Sequence, residues 1–361
     1  MQKMVRETCL VFPMNMIGVL VLLFISGPGN KACVSGKSQS TTDHHFVFTD
    51  SAEASVKIVK DDVEGYFDRA TPVDMAIQMK KPLADHRTEV NTSAFIRFIR
   101  TEVSDWTSDE KKMIRATLEE AFSIIKKLNP TCLPKISLIK IKTNHYGDHV
   151  YYTRGHHICI PENIFTEYNA EVQLPILIHE IFHVISKQNP AYRDSLYALI
   201  GFEKLDKEPF IPDPLNKRLL TNPDGVSRLH AIRLGDLPKG EISVLALPLI
   251  SSNRSDFTTS LPHFFDYLSF DLYPVEKKEG LYIVVTDTLG NTKLETALTT
   301  HFFTKIRDNT RYIIHPEEIM ADNFMLAALA VHRNDYQRFS PKGKELIEQI
   351  IRITRETDFT R

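Results

Sequence analysis

In the run His179-Glu180-Ile181-Phe182-His183 two histidines stand four residues apart, with a glutamate beside the first. On an α-helix that spacing is one turn, so both imidazoles leave the same face. Neutral imidazoles so placed reach one Zn²⁺ at about 2.0–2.1 Å per Zn–N bond. Glu180 points to one side of that line, where it can act on a water held by the ion and not on the ion itself. Leu174, Pro175, Ile176, Leu177 and Ile178 precede the motif, and Val184 and Ile185 follow it. A helix that is apolar nearly all round is buried. Two histidines and a glutamate are expensive in such a helix unless something satisfies them. Hydrogen-bonded core histidines with Glu180 in an ion pair are one solution; a bound dication is the other.

A catalytic zinc takes three protein ligands and keeps one position for water. The segment His315-Pro316-Glu317-Glu318-Ile319-Met320-Ala321-Asp322 offers the third. Pro316 suits the first position of a helix, and Glu318 and Asp322, four apart, share a face. Glu318 is read as the ligand, and Asp322 as acceptor of the second ring N–H of a liganding histidine. Glu317 is the rival ligand, although acidic residues in a first helical turn are favoured by the helix dipole alone. Ala321, Met325, Leu326, Ala328 and Leu329 continue an apolar face that would pack against a neighbour.

His179, Glu180 and His183, taken with Glu318 and Asp322, resemble the gluzincin metallopeptidases of thermolysin type, in which HExxH sits on one helix and E-x-x-x-D on the next. The resemblance covers two short motifs, and this chain departs from the family by the long stretch between them. It implies an α+β, zincin-like domain: a small mixed sheet on the active-site helix and a helical C-terminal part. It implies one catalytic Zn²⁺ that polarises a water, Glu180 as general base, and a peptide or protein substrate. The substrate would pair with an edge strand, either His157–Ile160 or Val150–Thr153. A further donor would stabilise the charge on the carbonyl oxygen; Tyr312, His315 and His230 are the candidates. The competing expectation is a non-catalytic zincin-like protein that binds a partner through residues 203–310, but the presence of Glu180 favours the enzyme.

The elements that must position these residues follow from pattern. Thr107-Ser108-Asp109-Glu110 has the form of a capping box, and Met113, Ile114, Leu118, Ala121, Phe122, Ile125 and Leu128 recur behind it at helical spacing. A strand at 136–141, short strands at 150–153 and 157–160, and a helix over 172–186 come next. Residues 203–310 are rich in Pro and Gly and carry β-type runs at 229–234, 242–250, 264–272 and 281–286, so they read as an insertion with its own sheet that loops out of the domain. Helix returns beyond Pro316, and a last helix runs over 341–354. Residues 46–92 give little beyond a strand near 45–49. The expected organisation is 1–29 signal peptide, 30–60 tether and start of the fold, 61–202 HExxH part, 203–310 insertion, and 311–361 helical part.

Composition narrows the functions. With 361 residues and 42% of them apolar there is enough chain for a large core. A net charge of −2 gives no basic field, so nucleic acid is not an expected partner. No Gly-rich phosphate loop and no Gly-x-Ser-x-Gly elbow occurs. Lys3 and Arg6, then an apolar core over 16–25 and small residues after it, read as a secretory signal peptide. A secreted or periplasmic protein without a stable membrane span after signal removal is expected, with a membrane-anchored one as the alternative. Asn30-Lys31-Ala32 before Cys33 do not make a lipobox, so no lipid anchor is expected there. Cys132 and Cys159 either pair in an oxidising compartment or stay as buried thiols. His145, His149, His156 and His157 read as histidines of a loop and strand in preference to a second metal site, and Asn222-Pro223-Asp224-Gly225 as a turn in preference to a calcium loop.

Overall fold

The computed structural model describes residues 45–60, 65–85, 89–235, 243–294 and 296–360. The expected signal peptide, Cys9 and Cys33 lie outside the described residues. Among those described, no helix is long and apolar enough to cross a membrane, and Cys132 and Cys159 are free, buried thiols.

The fold is α+β. Strand β1 (Phe46–Phe48) leads into four helices, α1 (Ser51–Lys57), α2 (Tyr66–Arg69), α3 (Pro72–Met79) and α4 (Thr92–Thr101), then β2 (Val103–Ser104). The sequence reading missed these helices; the first three are too short to display a clear period, whereas α4 carries one in Ala94, Phe95, Phe98 and Ile99 that was not read. Their start signals are present, since Asp50, Thr71 and Asn91 each accept a backbone N–H three residues on. Helix α5 (Ser108–Lys126) opens on the capping box, with Thr107 and Glu110 each accepting the other's backbone N–H. Strands β3 (Ile136–Ile141), β4 (Tyr152–Arg154) and β5 (His157–Pro161) complete the first sheet. Its order is β1-β3-β5-β4, with β2 also on β3; β1, β3 and β5 are parallel, and β4 is an antiparallel edge.

Side chains alternate across a strand, and this sheet is covered on both faces. Ile136, Leu138, Ile158 and Ile160 face a core shared with Ile114 and Leu118 of α5, whereas Ile139, Ile141, Cys159 and Tyr152 face one shared with Ala54, Ile77 and Phe95. Thr153, beside Tyr152, therefore points to the α5 side. There lies α7 (Ala170–Gln188), which follows the short α6 (Ile164–Glu167) and carries the HExxH run. Ile178, Ile181, Phe182 and Ile185 of α7 are fully buried.

Helix α8 (Pro190–Leu199) leads to a second, antiparallel sheet of β6 (Phe202–Lys204), β7 (His230–Gly235), β8 (Ser243–Ser252), β9 (Leu268–Lys278) and β10 (Leu281–Val284), in the order β10-β9-β8-β7-β6. The expected strand at 264–272 begins as a 3-10 turn over Phe264–Tyr267. Two helices also lie in this stretch, α9 (Asp213–Asn216) and α10 (Thr296–Ile306). The second sheet does not loop out. Ile232, Leu234, Ala246, Leu272 and Phe302 belong to the same buried cluster as α7, and Leu220, Val226 and Ile250 belong to the cluster on the other face of the first sheet. Helix α11 (Pro316–Arg333) packs on α7, where the Phe182 and Phe324 rings meet at a tilt of 36° with centroids 5.0 Å apart, and α12 (Pro341–Glu356) closes the fold. Ala321, Ala327, Ala328 and Ala330 are buried on α11, and small side chains there permit a close approach to neighbouring helices.

Candidate metal centre

Helices α7 and α11 bring together the residues that the two motifs singled out. His179 Nε2 lies 3.1 Å from Glu318 Oε2, and His183 Nε2 lies 3.6 Å from the same oxygen. Ligands spaced tetrahedrally at about 2.0–2.1 Å from a zinc ion are about 3.3 Å from one another. His183 is wholly buried, and its Nε2 has no hydrogen-bond partner. A buried ring nitrogen without a partner is costly in a hydrogen-bonded core but suits a ligand. Both separations from Glu318 are those of ligands on one ion, and two imidazoles with a carboxylate are the donor chemistry of a divalent ion that His179, His183 and Glu318 would hold.

The opposite edge of each imidazole is fixed. His179 Nδ1 donates to Asp322 Oδ1 at 2.9 Å, and Thr310 Oγ1 donates to the other Asp322 oxygen. His183 Nδ1 donates to Glu317 Oε1 at 2.9 Å. Carboxylates accept only, so both Nδ1 atoms carry protons; the His183 Nε2 is left to offer a lone pair, whereas the His179 Nε2 meets the Glu318 carboxylate and offers one only when its proton leaves. Glu317, the rival ligand in the sequence, thus stands at the Nδ1 edge of His183, whereas Glu318 faces its Nε2. Ser186 and Tyr197 hydroxyls hold the two Glu317 oxygens. Burial keeps His183 well below the ordinary histidine range, hence neutral. Burial would lower His179 too, but the Asp322 and Glu318 carboxylates outweigh it and raise it well above 6.5. A cation bound there would take the place of the His179 proton.

Glu180 stands beside this group. Its Oε2 accepts from Thr153 Oγ1 at 2.8 Å, and burial pushes its carboxyl up to about 7, against the charge of His179 and the Thr153 hydroxyl. Thr153 is the middle residue of the edge strand β4, so β4 and not β5 is the edge. The Thr153 carbonyl accepts from Lys187 Nζ at 2.7 Å, and its N–H donates to Asp224. Asn222 Nδ2 donates to Glu318 Oε1 at 2.7 Å. Asp224 is buried close to Glu180 and Glu318, and burial followed by those two charges raises it well above the ordinary carboxylate range. The segment at 222–225, read from the sequence as a turn, is a wall of the site. Thr153, Asn222 and Asp224 were not singled out from sequence as site residues, because only the folded chain brings them near α7; Lys187 lies on α7 itself, and nothing in the sequence marks its contact with Thr153.

The three candidate donors separate. Tyr312 has its ring 6.2 Å from that of His179, and burial followed by the charges of Glu318, Asp224 and Glu180 keeps its phenol protonated. His315 is unsuited: its Nδ1 accepts the Glu317 N–H and so caps α11, and its Nε2 donates to the Ser227 carbonyl, so both nitrogens are already engaged. His230 is unsuited as well, since its Nε2 meets Asp194 and its ring packs edge-on to Tyr197 behind Glu317. Of the described histidines before α7, only His156 and His157 meet, with ring centroids 4.0 Å apart. His145 lies against Glu102 and Tyr152, His149 against Glu167, and His157 against Ser137. Among the described residues, the groups with ligand atoms within 4.8 Å of one another are His179, Glu180 and His183, and His183, Asp224 and Glu318.

No family model matches the chain, and no curated protein or solved structure is similar to it.

Proposed function

We propose that the protein is a zinc-dependent peptidase of zincin type, secreted or periplasmic. The observation that carries this reading is the unpartnered, buried His183 Nε2 facing Glu318 3.6 Å away. His179, His183 and Glu318 would hold the ion. When bound, it supplies a Lewis acid and makes a water acidic near neutral pH. Glu180 takes the proton from the attacking water on a carboxylate oxygen and delivers it to the leaving amine nitrogen. A carboxyl pushed up to about 7 is matched to both halves of that transfer near neutral pH. Tyr312, protonated and close to His179, is the donor for the charge that develops on the substrate carbonyl oxygen.

The test is hydrolysis of a mixed-peptide library with and without a chelator, together with elemental analysis of the purified chain. Glu180→Gln is expected to keep stoichiometric zinc and lose nearly all hydrolysis. His183→Ala is expected to lose zinc. Full hydrolysis by Glu180→Gln, or full zinc in His183→Ala, overturns the assignment. The competing reading, a non-catalytic binding protein, draws on the burial of the site beneath the 221–226 segment; it requires zinc in the wild type but no chelator-sensitive hydrolysis.

A further inference from the structure

Strand β4 has three residues and pairs with β5 on one side only. In an antiparallel strand each residue sends its N–H and C=O to the same side. At Thr153 that side is away from β5, and both groups are taken by the chain itself: the N–H by Asp224 and the C=O by Lys187. The segment bearing Asp224 is deeply set, with Thr221, Asn222, Asp224 and Val226 all buried. Asn222 anchors it on Glu318, the expected ligand.

Asp224 also reaches the metal side. One of its oxygens, a His183 ring nitrogen and a Glu318 oxygen lie within 4.8 Å of one another. Two atoms bound to one ion at about 2.0–2.1 Å are at most about 4.2 Å apart, so the side chain is within a small rotation of sharing the ion. The unpartnered His183 Nε2 supplies the independent sign that this point takes a cation. We propose that Asp224 is a fourth protein ligand, which closes the site that the peptidase reading leaves open to water and blocks the one outward-facing amide pair of β4. A peptide that adds to β4 displaces Asp224 from the Thr153 N–H and so frees the fourth position.

This inference rests on the metal centre proposed above, and the test separates the two. Asp224→Asn keeps an oxygen to accept the Thr153 N–H but is a far poorer ligand, and Asp224→Glu restores a carboxylate. Zinc affinity is measured by competition with a chromophoric chelator, and the visible spectrum is recorded after loading Co²⁺. For Asp224→Asn a fall in zinc affinity of at least about tenfold, an altered cobalt spectrum and faster peptide hydrolysis are expected, with affinity partly recovered in Asp224→Glu. Unchanged affinity and an unchanged cobalt spectrum in Asp224→Asn overturn the fourth ligand while the three-ligand centre stands. A wild-type chain that binds neither zinc nor cobalt overturns the centre itself, and the inference falls with it.

Discussion

Glu317 gains most from the folded structure at the scale of single residues. Adjacent to Glu318 in sequence, it turns to the far edge of His183 and is itself held by Ser186 and Tyr197. Partners of liganding histidines set tautomer and ring angle, and their loss costs metal affinity by roughly 10–100-fold. Glu317→Gln is therefore expected to weaken zinc binding by that order, with Glu318 still in place, as read by chelator competition. An unchanged affinity would reduce Glu317 to a packing role. His179, Glu180 and His183 were legible in the sequence because their spacing is local to one helix. Glu318 and Asp322 were legible through their four-residue spacing on a second helix. Glu317 carried no such sign, since one carboxylate beside another says nothing about which imidazole it faces.

At the scale of elements, the junction between the 221–226 segment and the start of α11 leaves no room for a side chain at Gly225. A Cβ on Gly225 would fall 2.3 Å from His315 Nδ1, the atom that caps α11 through the Glu317 N–H. Gly225→Ala must push the imidazole off its cap or lift the segment. Overpacking of this kind costs about 1–3 kcal/mol, so the urea midpoint is expected to fall, while wild-type stability would show that the ring has room to move. The sequence offered the capping box of α5, the buried β3 and the extent of α7 because each leaves its signal within a few residues. It offered little for α1 to α3, which pack into the cluster of Ile139, Ile141 and Cys159 far along the chain, whereas α4 shows Ala94, Phe95, Phe98 and Ile99 at helical spacing behind its Asn91 cap. The description of 203–310 as β-rich was sound for β7 to β10 and blind to α10, whose Phe302 and Ile306 join the main core.

Taken as a whole, the molecule has two sheets sharing buried clusters, so loss of either exposes the other's core. Its response to acid follows from groups buried away from the metal centre. His157, buried on β5 against Ser137, is pushed down to about 3 by burial and then by the charges of His156, Lys57 and Lys60. Between 6.5 and about 3 the unfolded chain binds a proton there that the folded chain refuses. Stability therefore falls as pH falls through that window, by about 1.4 kcal/mol per unit from this residue, and is untouched by it above 6.5. Urea unfolding of His157→Asn across pH 4–7 is expected to show a shallower acid slope than the wild type. Parallel slopes would assign the acid sensitivity to other groups.

The bonds made by Thr153 have a mechanical consequence. Its hydroxyl is fastened to Glu180 and its carbonyl to Lys187, two points seven positions apart on the same helix. Strand and helix are riveted twice, so neither twisting nor sliding of α7 can part them without breaking both rivets. That wall is fixed. Any widening that admits a guest has to come from the facing side, by withdrawal of the Asn222–Asp224 segment, which is held by one bond to Glu318 and one to the Thr153 N–H.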